Sequence, residues 1–201
     1  MYTYLYMGMA RGGRLYVFLL KGPCYGKQGV DRVRNLDRRH AHRGGGHWGD
    51  AAERGTQVDV CRARKARDVD SYDAVVVGAS VHMGKLVGEI ARFARRHRDV
   101  LAKVPVAHFI VCLSAAEETE ENCEAMAGYL EALRQTAPNV EPVDTALFAG
   151  AVLADTPEYR RLFPLLKIPV KAMAEQPDHR DWEAIRAWAE GLRPKLFEAV
   201  S

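Results

Sequence analysis

The chain has 201 residues, of which 48% are hydrophobic and 27% charged, with a net charge of +3. That length and balance suit one soluble globular domain, residues 1–201, with a sizeable core. No apolar run approaches the roughly 18 residues of a membrane-spanning helix, which excludes channel and carrier functions built on such helices.

The opening MYTYLYMGMARGG lacks the basic start and long apolar centre of a secretory signal, and residues 1–13 read as a disordered or extra segment. Four cysteines (Cys24, Cys61, Cys112, Cys123) show no C-x-x-C spacing, so reduced thiols in a cytoplasmic protein are expected. Charge is unevenly placed: residues 1–67 carry 14 Lys/Arg against 5 Asp/Glu, and residues 68–201 carry 15 against 21. No nucleic-acid motif or aromatic interleaving accompanies the arginines, so nucleic acid is not an expected partner.

In chain order, Leu15 to Leu20 is a short apolar, strand-like run. KGPCYGKQG (Lys21 to Gly29) follows, and then DRVRNLDRRHAHRGGGHWGD, whose few apolar positions and glycine triplet make a poor helix ending near Arg43. His40, His42 and His47 have no acidic or thiol partners at ligand spacing, so no metal site is expected. Tyr72 to Lys85, YDAVVVGASVHMGK, is the most informative stretch. Val75 to Val77 mark a strand buried on both faces, and Gly78-Ala79-Ser80 ends it with residues small enough for a ligand to approach the backbone. A helical stripe of Leu86, Val87, Ile90 and Phe93 comes next.

Ala107 to Leu113 reads as another buried strand, and Ser114 with Glu117 has capping-box spacing for a helix carrying Cys123, Met126, Ala127, Leu130 and Leu133 on one stripe. Leu147 to Val152 is a weaker strand. The segment 157–173 wound as a helix puts Tyr159, Leu162, Phe163, Leu166, Val170 and Met173 on one side and Arg160, Lys167 and Lys171 on another. It reads as an ordinary surface helix split by Pro164 and Pro169, or as a peripheral contact with an anionic membrane. A last helix capped by Asp181 buries Ile185, Trp188, Ala189 and Leu192.

GASVHMGK (residues 78–85) resembles the second flavin-contacting loop of the flavodoxin superfamily, in its menaquinone-dependent protoporphyrinogen dehydrogenase branch. AHFIVCLSAA, LFAGAV, PEYRRLF and RDWEAIRAWAEGL extend the resemblance in the same order over about residues 68–192. It implies an α/β, flavodoxin-like, doubly wound five-stranded parallel sheet in the order 2-1-3-4-5 with helices on both faces, Gln57–Cys61 supplying the remaining strand. It implies FMN as cofactor, a quinone or a redox partner protein as electron acceptor, and protoporphyrinogen oxidation in heme biosynthesis. The implied flavin contacts are Ala79, Ser80, Val81, His82, Met83, Gly84 and Lys85 in one loop, and Leu113, Ser114, Ala115 and Ala116 in another.

At the phosphate end, Lys21, Gly22, Tyr25, Gly26, Lys27 and Gln28 occupy the place of a Ser/Thr-rich loop, with no hydroxyl but that of Tyr25. Residues 14–67 thus form a degenerate first half. One hypothesis, a reading-frame slip upstream of about Arg67, would account for its charge, its arginines and glycines and the missing hydroxyls together. The alternatives to the enzyme are a one-electron carrier flavodoxin and a flavodoxin-fold module that has lost FMN.

Overall fold

The computed structural model describes residues 16–21, 33–35, 57–82, 85–86, 88–152, 157–161, 163–175 and 177–197. Its centre is one sheet containing β1 (Tyr16–Lys21), β2 (Val33–Asn35), β3 (Gln57–Arg62), β4 (Ala74–His82), β5 (Lys85–Leu86), β6 (Val106–Cys112) and β7 (Asp144–Ala149). The spatial order is β2-β3-β1-β4-β6-β7, with β5 paired to β4 alone. The five expected strands are β1, β3, β4, β6 and β7, and they lie in the expected order 2-1-3-4-5.

β4, β6 and β7 are parallel neighbours, from Val75 beside Val106 to Cys112 beside Ala149. Their expected adjacency therefore holds. The expectation that all five run parallel is corrected at β1, which pairs antiparallel with both β3 and β4. Tyr16 lies beside Gly78 and Leu20 beside Ala74, so β1 ends where β4 begins. Val33–Asn35, in a segment read as a poor helix, is instead a short strand parallel to β3.

Strand interiors are apolar on both faces because both faces are covered. One face carries Val17, Leu19, Val75, Val77, Val106 and Ile110 under α1 (Glu89–Leu101) and α2 (Glu120–Thr136). α1 contributes Ile90, Phe93, Ala94 and Leu101 at helical spacing, and α2 contributes Leu133. The opposite face carries Phe18, Leu20, Val76, Ala107, Phe109 and Phe148 under α5 (Trp182–Phe197). From α5 come Ile185, Ala189, Leu192 and Leu196. Asp181 caps α5 as expected, its Oδ1 accepting from the amides of Glu183 and Ala184 at 3.0 and 2.9 Å. Trp188 is half-buried, edge-on to Phe109 and Phe148, and its Nε1–H donates to Asp144 at 3.1 Å.

Two helix starts differ from the reading. α1 begins at Glu89, because Leu86 is held in a hairpin with Val81. α2 begins at Glu120, capped by Thr119, whose Oγ1 accepts from the Asn122 amide at 3.2 Å. Ser114 lies five residues earlier, in a separate 3-10 turn (Leu113–Ala116), and caps nothing. The stripe on α2 turns accordingly: Cys123 and Ala127 are exposed, while Met126, Tyr129 and Leu130 flank buried Leu133.

Candidate functional site

In an open α/β sheet, ligands lie beyond the carboxyl ends of the parallel strands. Here that edge is formed by the ends of β4, β6 and β7 near His82, Cys112 and Ala149. The stretch read as a loop from Ala79 to Lys85 is mostly strand. β4 continues through Ala79, Ser80 and Val81 to His82 and folds back as a hairpin, with His82 opposite Lys85. Met83 and Gly84 lie outside the described residues.

Gly78 is glycine for a packing reason. A Cβ there would lie 2.2 Å from Cζ of Phe109, the centre of an aromatic cluster with Phe18, Phe148 and Trp188. The small residue admits a neighbouring ring rather than a ligand. Ser80, two residues on, shares that face by the period-2 rule. Its Oγ is buried and has no hydrogen-bond partner within the protein. A buried hydroxyl left unmade is costly, so this group fits a ligand atom arriving at the strand end.

The second expected contact set, Leu113, Ser114, Ala115 and Ala116, is the 3-10 turn at the end of β6, and all four residues are half-buried. Gly150 N–H donates to the Cys112 carbonyl at 3.1 Å, tying the end of β7 to the base of the turn. The Cys112 thiol is buried there. Burial pushes its pKa up, while hydrogen bonds from the amides of Ala115 and Ser114 pull the other way. The amides of two residues that the resemblance implies as flavin contacts thus reach this sulfur. The sequence held no sign of that contact.

Of the residues expected at the phosphate end, Lys21 alone is described, and it lies apart from the others. Because β1 is reversed, Lys21 sits beside Gln57 at the opposite edge of the sheet. Its Nζ lies 5.4 Å from the centroid of the Tyr72 ring, and the Tyr72 hydroxyl donates to buried Asp59. Gly22, Tyr25, Gly26, Lys27 and Gln28 lie outside the described residues, as do His40, His42 and His47. The structure therefore brings Ser80, at the end of β4, near the turn Leu113–Ala116 at the end of β6, and it places Lys21 at the opposite edge of the sheet.

His108, which sequence reasoning passed over, is the other buried polar residue besides Asp59 in the described core. It lies mid-strand between Val77 and Thr145, and burial lowers its pKa to about 4, so it is neutral and structural.

The segment read as a helix from residue 157 is two pieces, α3 (Pro157–Arg160) and α4 (Pro164–Ala174), with Pro164 in the first turn of α4. The expected faces are turned. Lys167 and Val170 are half-buried, while Phe163, Leu165 and Ile168 are exposed. No helix among the described residues is long and apolar enough to cross a membrane.

Residues 49–173 match a family model described as a flavodoxin domain. No curated protein and no solved structure matches the chain. The matched span runs from before β3 into α4 and leaves β1 and β2 outside it.

Proposed function

The chain belongs to the flavodoxin domain family, and from that premise we propose that it is an FMN-dependent oxidoreductase that dehydrogenates protoporphyrinogen and delivers the electrons to a quinone. One observation carries the flavin part. Ser80 Oγ, buried and unpartnered, stands at the end of β4 next to the half-buried turn Leu113–Ala116 at the end of β6. When bound, the flavin supplies hydride and electron transfer.

The chain's part is to bind, orient and shield. Ser80 would donate to a flavin acceptor, the turn Leu113–Ala116 would help to hold the flavin, and the β4–β5 hairpin would border the site. The dehydrogenase and quinone assignments rest on the sequence resemblance over residues 68–192.

A second reading, a one-electron carrier, is favoured by the acidic residues Glu117, Glu118, Glu120, Glu121 and Glu124, all exposed, directly after the turn. They would present negative charge to a basic redox protein near the cofactor edge. A third, a module without flavin, draws support from the position of Lys21.

Extraction of the purified protein and identification of its flavin separates the third reading from the others. Protoporphyrinogen-dependent quinone reduction separates the first from the second. Bound FMN with no such turnover would sink the dehydrogenase and leave the carrier.

A further inference from the structure

Phe163, Leu165, Ile168 and Met173 are exposed by 71%, 74%, 73% and 42%, and they are four of the five large hydrophobic residues exposed among the described residues. All belong to α4 or the residue before it. Scattered apolar residues on a surface are ordinary, but a cluster on one short helix marks an interaction face. Lys167, Val170 and Ala174 are half-buried and anchor the inward side, Lys167 with its Nζ 6.0 Å from the Tyr159 ring centroid. Leu165, Ile168, Ala172 and Glu175 follow i, i+3, i+7, i+10 spacing along the outward side, and all four are exposed. Glu175 keeps helical dihedrals as the C-cap, so this ridge ends in a carboxylate.

Charge differs between the two ends of the ridge. Before α4 come exposed Arg160 and Arg161, which outnumber Glu158 in that stretch of sequence. After it the exposed acids are Glu175 and Asp178, of which Asp178 is engaged by Arg180. The face thus reads basic, apolar, acidic in one direction. Such a polarity is complementary to itself when two copies meet antiparallel across a two-fold axis. We propose that the outward side of α4 is a homodimer interface, in which the α4 helices of two copies pair antiparallel about an axis near Ile168. Arg161 of each copy then faces Glu175 of the other, the two being equally far from the axis, and Phe163 faces Met173 in the same way. Lys171, beside the ridge, lies across from Leu165 and keeps its charged head in water.

Area and charge select a second copy over other occupants. At about 200 Å² for a large side chain, the four exposures amount to roughly 500 Å² per copy. A pair would remove roughly 1,000 Å² from water, the lower bound for a specific interface, which fits a reversible dimer. Opposed helix dipoles add to the match, as does a thioether sulfur against an aromatic ring. A lipid surface fits less well, because Glu175 on the ridge itself would meet lipid phosphates of its own sign. The inference stands apart from the flavin reading, since the pairing needs no cofactor.

The test is sedimentation velocity of the full chain. Between about 1 and 200 μM, the range suited to so small an interface, the protein should pass from a single chain to a species of two. Ile168→Glu, which sets like charges together at the axis, should weaken association by about tenfold or more. Arg161→Glu and Glu175→Arg should each weaken it about fivefold, and the two combined should restore it. Melting temperatures at the lowest concentration should match the parent, because these side chains are exposed. A single chain at the highest concentration, a dimer indifferent to Ile168→Glu, or a charge exchange that restores nothing overturns the proposal. A single chain that binds anionic phosphatidylglycerol vesicles and loses them on Ile168→Glu would overturn it in favour of a lipid surface.

Discussion

Two regions share the sheet and are connected differently. From β4 to β7 each parallel strand leads over a helix to the next, α1 between β4 and β6 and α2 between β6 and β7. A crossover of this kind fixes strand direction, because the chain must return to the edge from which it started. β1 has the same apolar make-up, with Val17 and Leu19 toward α1 and Phe18 and Leu20 toward α5, yet it runs against both neighbours. Rotating such a strand half a turn about the sheet normal leaves every side chain on its own face. Burial therefore specifies where an all-apolar strand lies and is silent on which way it points.

The most decisive way to break this comparison uses a native thiol. Val17 lies opposite Cys61 across the β1–β3 ladder, and both are fully buried on the same face. Antiparallel partners have Cα separations of about 4.5–5.5 Å, within the range a disulfide spans. Val17→Cys, refolded under oxidising conditions, should cross-link to Cys61, found by peptide mass mapping, and raise stability by about 4 kcal/mol through loop closure. A parallel β1 would carry residue 17 to the other edge of the sheet, and no such peptide would form.

The next effect belongs to the parallel half. Gly78→Val drives a side chain into the Phe109 ring, where even a Cβ meets Cζ at 2.2 Å. Overpacking of this kind should cost about 3 kcal/mol by urea denaturation. Phe109→Leu in the same chain should restore part of the loss, a coupling absent if Gly78 served only ligand approach.

His108 in β6 adds a pH dependence of about 2 to 3 kcal/mol. Burial holds its folded pKa at about 4, below the ordinary 6.5 of the unfolded chain. As pH falls through 6.5 the unfolded state takes up a proton that the folded state refuses, so stability present at pH 7 is lost down to about pH 4 and no further. His97, also lowered chiefly by burial, acts in the same sense. Stability curves of parent and His108→Gln at pH 7 and pH 4.5 should differ in slope. Parallel curves would mean that His108 is protonated in the folded state.

These contrasts show what the residues disclosed. Strand positions at β4, β6 and β7, the order of the sheet and the core stripe of α5 were legible, because period-2 and 3.6-residue patterns report burial directly. The direction of β1 was not, for the symmetry reason above, and the strand Val33–Asn35 is too short to show a period. Ser114 has a helix-cap pattern, but Thr119 competes for the same helix and lies at its actual start. At the candidate site, the resemblance named Ser80, but that its hydroxyl is buried without a hydrogen-bond partner came from the structure. The amides turned toward Cys112 were not legible, because i, i+2 and i, i+3 contacts to sulfur leave no composition signal. The exposed side of α4 was misread because every position from Phe163 to Ile168 except Pro164 and Lys167 is apolar, and a window that apolar all round has no distinct stripe.

A smaller effect sharpens the ring-side assignment. Ser80→Ala removes a buried hydroxyl that has no partner within the protein, so the flavin-free protein should keep or slightly gain stability. Flavin affinity should fall about fivefold, the worth of one hydrogen bond of about 1 kcal/mol. Opposite signs in melting temperature and in flavin titration identify a ligand-facing group. A loss in both would make Ser80 structural.

The smallest expected difference lies at the phosphate end. Lys21, where that loop begins, is at the edge of the sheet away from Ser80 and Leu113–Ala116, and KGPCYGKQG supplies no Ser or Thr hydroxyl. A flavin held by its ring alone gains little from its phosphate, so riboflavin and FMN should bind within about threefold of each other. What preference remains should vanish with salt, as exposed charge contacts are screened over about 8 Å near physiological ionic strength. Lys27→Thr with Gln28→Thr would add hydroxyl donors, and for a loop beside the flavin each should favour FMN by about tenfold. With β1 reversed, the ratio should stay where it was. A competitive titration in which the double variant gains a strong FMN preference would put that loop at the flavin edge, and with it a β1 that runs parallel to β4.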